Sequence, residues 1–285
     1  MGKETEIKFS EIPLPSGKLM LVDLDKTLID SNYQITNQGI FDEITRVQSL
    51  GWQIGLSSDT PLESLKVWRG RFGMNGPILA ERGAVIWSPG KPEIVINPEA
   101  EQFFTSLRLA LIQQLAFNRI NFFHGDVTQF IRNKPVLNEM VDPRLILIQA
   151  YRRCSLNFYG KKILPDGALD IDNNLTKQTV ELTNRLMETP PFEVEEDYNP
   201  DYGICIFSPK QMTKRLGTIR LLTDLDLKKV GIIGDSTTDI VGIDIAFHYA
   251  VGNAKPEFKN NSVFVAQNSY TSGVIEILKL IKNRK

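Results

Sequence analysis

Four short segments of this chain, residues 18–25, 52–58, 77–80 and 230–235, run almost continuously apolar, and all but the third end on a polar group. A strand with one wet face alternates apolar and polar residues; a strand covered on both faces does not. These runs therefore call for a sheet enclosed between helices. Helical patterns lie among them. Residues 36–50 place Ile40, Phe41, Ile44, Val47 and Leu50 at helical spacing, residues 61–72 open on Pro61 and stop at Gly73, and residues 213–222 make a third helix. Such alternation predicts an α/β fold with a doubly wound, Rossmann-like parallel sheet, whose ligands bind beyond the carboxyl ends of the strands. Asp23, Asp25, Ser58 and Asp235 all fall at those ends.

The middle of the chain reads differently. Pro89, Pro92 and Pro98 punctuate the exit from the first half, and residues 99–117 form a long amphipathic helix. Residues 145–159 are rich in strand formers, as one long strand or two short ones. A helix over 175–187 stops at Pro190 and Pro191, and two strands, 192–196 and 202–207, flank the turn signal Asn199-Pro200-Asp201. A mixed segment between two pieces of a parallel-sheet core predicts an inserted domain. The expected division is 1–86 and 207–285 for the core and 87–206 for an α+β insert.

At 285 residues the chain is long for one core and ample for two domains. Its 33 Lys plus Arg nearly balance 34 Asp plus Glu, a formal net charge of −1, so no global charge draws it to nucleic acid or an anionic membrane. No apolar stretch is long enough to span a bilayer, and residues 1–10 are charged and lack an apolar leader. A cytoplasmic location is expected, with Cys154 and Cys205 as ordinary thiols. The expected partner is a small molecule; the oligomeric state is unknown from the sequence.

Asp23 and Asp25 stand two residues apart at the end of the first run, where alternate side chains share a face. Like charges that close call for a shared proton or cation. Gly234-Asp235-Ser236-Thr237-Thr238-Asp239 closes the last run, and if a helix begins there Asp235 and Asp239 share one side of its first turn. Alone, that pattern is an acidic helix start. Joined to Asp23 and Asp25 it gathers four carboxylates near one sheet edge, and hard oxygen donors in that number suit Mg2+. His-rich or Cys-rich sites for zinc are absent, and His124 and His248 read as ordinary core or surface histidines.

These residues resemble a known family. Asp23-Leu-Asp25-Lys-Thr27 is similar to the first motif, DxDxT, of the haloacid dehalogenase (HAD) phosphatases, Ser58 to the Ser/Thr of the second, Lys214 to the lysine of the third, and Gly234-Asp235-Ser236 with Asp239 to the fourth, GDSxxD. Residues 80–86, Ala-Glu-Arg-Gly-Ala-Val-Ile, resemble the ENGA segment of the Cof-like, sugar-phosphate phosphatase branch, and Gly252-Asn253-Ala254 its GNA segment. The chain departs from that branch at Asp59-Thr60, where Gly-Arg is usual, at Arg82 in place of Asn, and at Thr238 in place of the Asn of GDSxND.

The resemblance implies a Mg2+-dependent phosphatase that works through a covalent aspartyl-phosphate. Asp23 is then the nucleophile and Asp25 the general acid and base. Asp23, Asp25 through its backbone carbonyl, Asp235 and Asp239 hold the metal, and Ser58, Lys214 and Asn253 bind the phosphate. Thr27 fixes the loop or joins the phosphate contacts, and Lys210 is the competitor of Lys214. The insert corresponds to a cap that excludes water, with Arg152, Arg153, Lys161 and Lys162 as candidates for an acidic group on the substrate. The implied substrate is a sugar phosphate or a phosphorylated glycoside, such as mannosyl-3-phosphoglycerate or sucrose phosphate. A hexose phosphomutase and a catalytically silent binding protein of the same fold are the alternatives.

Overall fold

A computed structural model describes residues 12–132, 142–187 and 189–281; the charged segment 1–10 lies outside them. In chain order the elements are β1 (Leu19–Val22), α1 (Ile40–Ser49), β2 (Gln53–Ser57), α2 (Leu62–Phe72), β3 (Ile78–Ala80), β4 (Val85–Trp87) and β5 (Ile94–Val95). The middle contributes α3 (Pro98–Phe117), β6 (Phe122–Gly125), α4 (Val127–Arg132), β7 (Arg144–Gln149), β8 (Leu156–Ile163), β9 (Leu169–Ile171), α5 (Asn173–Leu186), β10 (Val194–Asn199) and β11 (Ile204–Pro209). The last part adds α6 (Lys214–Leu225), β12 (Val230–Gly234), β13 (Ala246–Ala250), α7 (Pro256–Asn260), β14 (Phe264–Val265) and α8 (Tyr270–Leu278).

Two compact units result: Asn97–Met212, and the described residues on either side of it. In the outer unit one sheet runs β14-β13-β12-β1-β2-β3-β4-β5. The strands from β14 to β3 are parallel, while β4 and β5 are added antiparallel. All four residues of β1 are buried, as expected of a strand covered on both faces. Leu19 and Leu21 join Leu221 and Leu222 of α6 in one cluster, and the alternate residues Met20 and Val22 point to the opposite face. Chain order reverses at β1, between β2 and β12, and such a switch point opens a crevice at the strand ends.

The insert boundaries differ from expectation. The sheet keeps β4 and β5, so the division falls at 97 and 212 rather than at 87 and 206. Pro89 and Pro92 break the chain between two short strands of one sheet, not between domains. Residues 145–159 resolve into two strands, β7 and the start of β8, joined by a turn. Within the insert a second sheet runs β10-β11-β8-β7-β6, with β9 on β8. Ile146 and Ile148 of β7 pack on α3 and α5, while Leu145 and Leu147 face Val127 of α4. Cys154 and Cys205 are buried and free.

Candidate active site

The site grows from the pairing of β1 with β12. Val22 is in register with Ile233, and the ladder runs one residue further, with Asp23 N donating to Ile233 O at 2.8 Å. Asp23 and Asp235, each just after its strand, therefore leave the sheet side by side. After Asp23 the chain turns sharply. Leu24 O accepts from Leu28 N at 2.9 Å and Ile29 N at 3.1 Å, and Lys26 sits at φ 60. Asp23 and Leu24 are buried, whereas Asp25 is exposed.

No α-helix opens directly after β12. Thr237–Asp239 is a single 3-10 turn, and Asp239 folds back against the strand end. Its Oδ2 accepts from Asp235 N and Ser236 N, both at 3.1 Å. Gly234 permits this approach, since a Cβ there would collide with the Asp239 carboxylate.

Lys214 enters from the first turn of α6, which Thr213 caps by accepting from Leu216 N. Its Nζ donates to Asp23 Oδ1 at 2.7 Å and to Asp239 Oδ1 at 2.5 Å. The helix is seated by a glycine contact: Gly83, at φ 90, lies against Gly217, and a Cβ on Gly217 would sit 2.6 Å from the Gly83 Cα. Lys214 is 4% exposed, Asp23 6%, Asp235 7% and Asp239 0%. Burial opposes the lysine charge, but attraction and hydrogen bonds from Asp23 and Asp239 outweigh it and push its pKa up. One ammonium cannot balance three buried acids. Burial raises the Asp23 carboxyl well above its usual range against the pull of Lys214, with repulsion from Asp239 and Asp25 adding to the rise. Burial and then Asp239 push Asp235 up to about 6.

Beside this cluster, Ser58 N donates to Leu79 O at 2.9 Å, which fixes it at the end of β2. Ser58 Oγ accepts from Thr60 N and donates to Thr60 Oγ1, both at 3.2 Å, and Thr60 Oγ1 donates to Asp25 Oδ2 at 3.2 Å. The sequence marked Thr60 only as a departure from the family pattern, so its contact with Asp25 was missed. Asn253 donates from Nδ2 to Lys26 O and accepts from Tyr270 N at Oδ1, both at 2.8 Å, and so ties the Asp25 loop to α8. Thr271 Oγ1 holds the same loop by donating to Leu28 O at 2.8 Å. Thr27 is fully buried, and its hydroxyl has no hydrogen-bond partner.

Comparison with known proteins accords with this geometry. The family model for haloacid dehalogenase-like hydrolases matches residues 20–278. This chain belongs to the haloacid dehalogenase-like hydrolases. It is a phosphoric monoester hydrolase of that family. Phosphoglycolate phosphatase 1 of Saccharolobus solfataricus is 28% identical over 271 residues, covering 93% of this hydrolase and 96% of that protein. Among solved structures, a haloacid dehalogenase-like hydrolase from Bacteroides thetaiotaomicron superposes with a TM-score of 0.64 at 18% identity, over 92% of this chain and 98% of that one. TM0651 from Thermotoga maritima gives 0.63 at 17%, over 93% and 98%. At such identities these two structures speak for the fold alone.

The other sequence candidates have partners of their own. Lys210 is exposed and pairs with Glu193 at 2.6 Å, within the insert. Arg82 pairs with Asp59 at 3.6 Å. Arg152 is buried and donates to Ser155 Oγ, Arg153 pairs with Glu101 at 2.5 Å, and Lys161 donates to Tyr202 O. His248 is buried, and its Nε2 accepts from Val241 N at 3.1 Å, which leaves it a neutral core residue whose pKa burial lowers. No helix among the described residues is long and apolar enough to cross a membrane.

The donor set fits Mg2+. Asp23, Asp235 and Asp239 offer carboxylate oxygens all within 4.8 Å of one another, hard ligands of the kind this ion takes. The Asp25 side chain is not in that group and engages Thr60 instead. The excess of buried acid gives a pH-dependent test. An aspartate raised from 3.8 to about 6 contributes stability that is full below pH 3.8 and is lost as pH rises through 6, a loss of about 3 kcal/mol at neutral pH. A bound cation offsets it. Millimolar Mg2+ is therefore expected to raise the melting temperature more at pH 7.5 than at pH 5, as read by differential scanning calorimetry. An unchanged melting temperature at pH 7.5 would count against a cation site here.

Proposed function

We propose that this hydrolase removes phosphate from a small aliphatic phosphate ester, with Mg2+ as cofactor and an aspartyl-phosphate on Asp23 as intermediate. The observation that carries the reading is the Lys214 ammonium held between the buried carboxylates of Asp23 and Asp239, beside Asp235. Bound Mg2+ would be held by Asp23, Asp235 and the Asp25 carbonyl, backed by Asp239, and would shield the substrate's negative charge from the attacking carboxylate. Asp23 attacks phosphorus, which splits one difficult hydrolysis into two easier transfers. Asp25 protonates the departing oxygen and then takes a proton from the water that releases phosphate. Lys214 and Ser58 donate to the phosphoryl oxygens, where charge shifts as the bond breaks.

Phosphoglycolate is the first substrate to test, because the S. solfataricus relative is named for it; hexose phosphates and phosphorylated glycosides follow from the sequence resemblance. The test is phosphate release across such a panel, with Mg2+ and with a chelator. Release from at least one aliphatic ester, abolished by the chelator, is the expected result. Isomerised sugar phosphate without free phosphate would mean a mutase. No turnover of any member would return the chain to a binding role.

A further inference from the structure

The turn after β12 is held from outside itself. It closes with two backbone bonds, Asp239 N donating to Ser236 O and Ile240 N to Thr237 O, both at 3.1 Å, and at Ile240 the chain leaves in an extended conformation. No helix continues from there to take up the next amide. That amide, Val241 N, is buried and donates to His248 Nε2 at 3.1 Å. On the other side of the same residue Val241 O accepts from Arg215, whose guanidinium also pairs with Asp244 through two bonds at 2.9 Å.

His248 is an unusual choice for its place. It lies in the middle of β13, opposite Ile232 of β12, is 1% exposed, and packs edge to face against Phe258. Since Nε2 accepts, the ring proton is on Nδ1, and Nδ1 has no hydrogen-bond partner. A buried donor in that state loses its water and gains nothing in return. Packing therefore does not account for an imidazole where an aliphatic side chain would serve. What the ring does supply is the acceptor for Val241 N, two residues after Asp239.

We infer that His248 is a positioning residue for the cation site. By accepting from Val241 N it fixes the exit of the turn. That holds the Asp239 carboxylate where one oxygen reaches Asp235 N and Ser236 N and the other meets Lys214 Nζ. The inference rests on the reading of Asp23, Asp235 and Asp239 as the acids that hold Mg2+. His248 acts through Asp239 and, through the bond from Asp235 N, on the second acid of the group. Removing a group that orients the ligands of a metal typically lowers its affinity about 10–100-fold.

The test is Mg2+ binding itself, by titration calorimetry of the full chain at pH 7.5, in the wild type, His248→Met, His248→Asn and His248→Gln. Glutamine carries its amide oxygen about as far out as Nε2 and keeps the acceptor. Asparagine is one methylene too short to reach Val241 N, and methionine offers only a weak thioether acceptor. His248→Met and His248→Asn are expected to weaken Mg2+ binding roughly tenfold, and His248→Gln to stay within about threefold of the wild type. Melting temperatures of the metal-free proteins are measured beside the titrations. A role in packing alone would lower the melting temperature and leave Mg2+ affinity unchanged, and that result overturns the inference. Equal loss of affinity in the glutamine and asparagine variants overturns it as well, because the acceptor would then not be what matters. If His248→Met does not fold, the contrast between asparagine and glutamine decides. A wild type that binds no Mg2+ at pH 7.5 removes the cation reading itself; a wild type that binds it beside unaffected variants removes only the role of His248.

Discussion

Asp23→Asn is expected to lower turnover at least about 1,000-fold, as removal of a nucleophile does in other covalent enzymes. An amide oxygen does not attack phosphorus, yet asparagine keeps the size and shape of the side chain at the end of β1. The same change is expected to stabilise the metal-free protein at neutral pH. Asp23 is one of three buried acids set against one ammonium, and burial already holds its carboxyl well above the usual range. Folding therefore pays for ionising it, and asparagine removes that cost. In the metal-free protein, the stability contributed by the Asp23 proton is present at low pH and is lost as pH rises past the ordinary 3.8 through its raised value. The gain in Asp23→Asn should therefore appear at neutral pH and vanish near pH 4. Steady-state phosphate release together with melting temperatures at the two pH values checks both halves. A rate within tenfold of the wild type would exclude Asp23 as nucleophile. A fall in melting temperature at neutral pH would contradict the charge argument.

The second large effect is at Lys214. Replacing it with methionine keeps a buried chain of similar length and removes the ammonium that donates to both Asp23 and Asp239. Breaking a buried ion pair from one side costs about 3–5 kcal/mol, because the charges left behind stay desolvated. Loss of a donor to the reacting phosphoryl group costs a further factor of roughly 100 to 1,000 in rate. The pH dependence follows from the acids. The Lys214 pKa is pushed above the ordinary 10.5, so in the wild type its charge is constant through the neutral range. In the variant Asp23 and Asp235, whose carboxyls burial already holds high, take protons as pH falls, and the stability deficit is expected to shrink from pH 8 to pH 5. Urea unfolding at both pH values, with kcat/KM beside it, makes the measurement. A deficit that does not change with pH would mean that lost packing, not unbalanced charge, is the cause.

Much of the core was legible because its signals are local. Burial on both faces forces β1 and β12 to be apolar throughout, and the acids after them are visible where each run stops. Resemblance to the family's spacing from strand end to lysine also favoured Lys214 over Lys210, and the structure places Lys214 among the acids while Lys210 meets Glu193. Signals that depend on a partner were not legible. Strands β4 and β5 have three and two residues, and nothing in Val85–Trp87 or Ile94–Val95 names the strand each will join. The residues around Asp235 suited a helix start, but Asp239 is drawn back by Asp235 N, Ser236 N and Lys214, and the backbone closes as a 3-10 turn. Asn253 was expected at the phosphate; its amide clamps Lys26 O and Tyr270 N, backbone groups that no side-chain pattern announces.

The sequence by itself determined the chemistry available to this protein: acids at the ends of buried strands, a lysine and a hydroxyl at matching ends, and an insert between two pieces of one sheet. Those features are written in residue type and short spacing, which the chain carries before it folds. Only the tertiary structure decided how the acids divide. Pairing of β1 with β12 sets Asp23 beside Asp235, the seat of α6 on Gly83 brings in Lys214, and Asp25, which accepts from Thr60, lies outside the group of the other three. The reason is physical: charge balance and hydrogen-bond direction depend on distances between residues far apart in sequence, and the sheet register sets those distances.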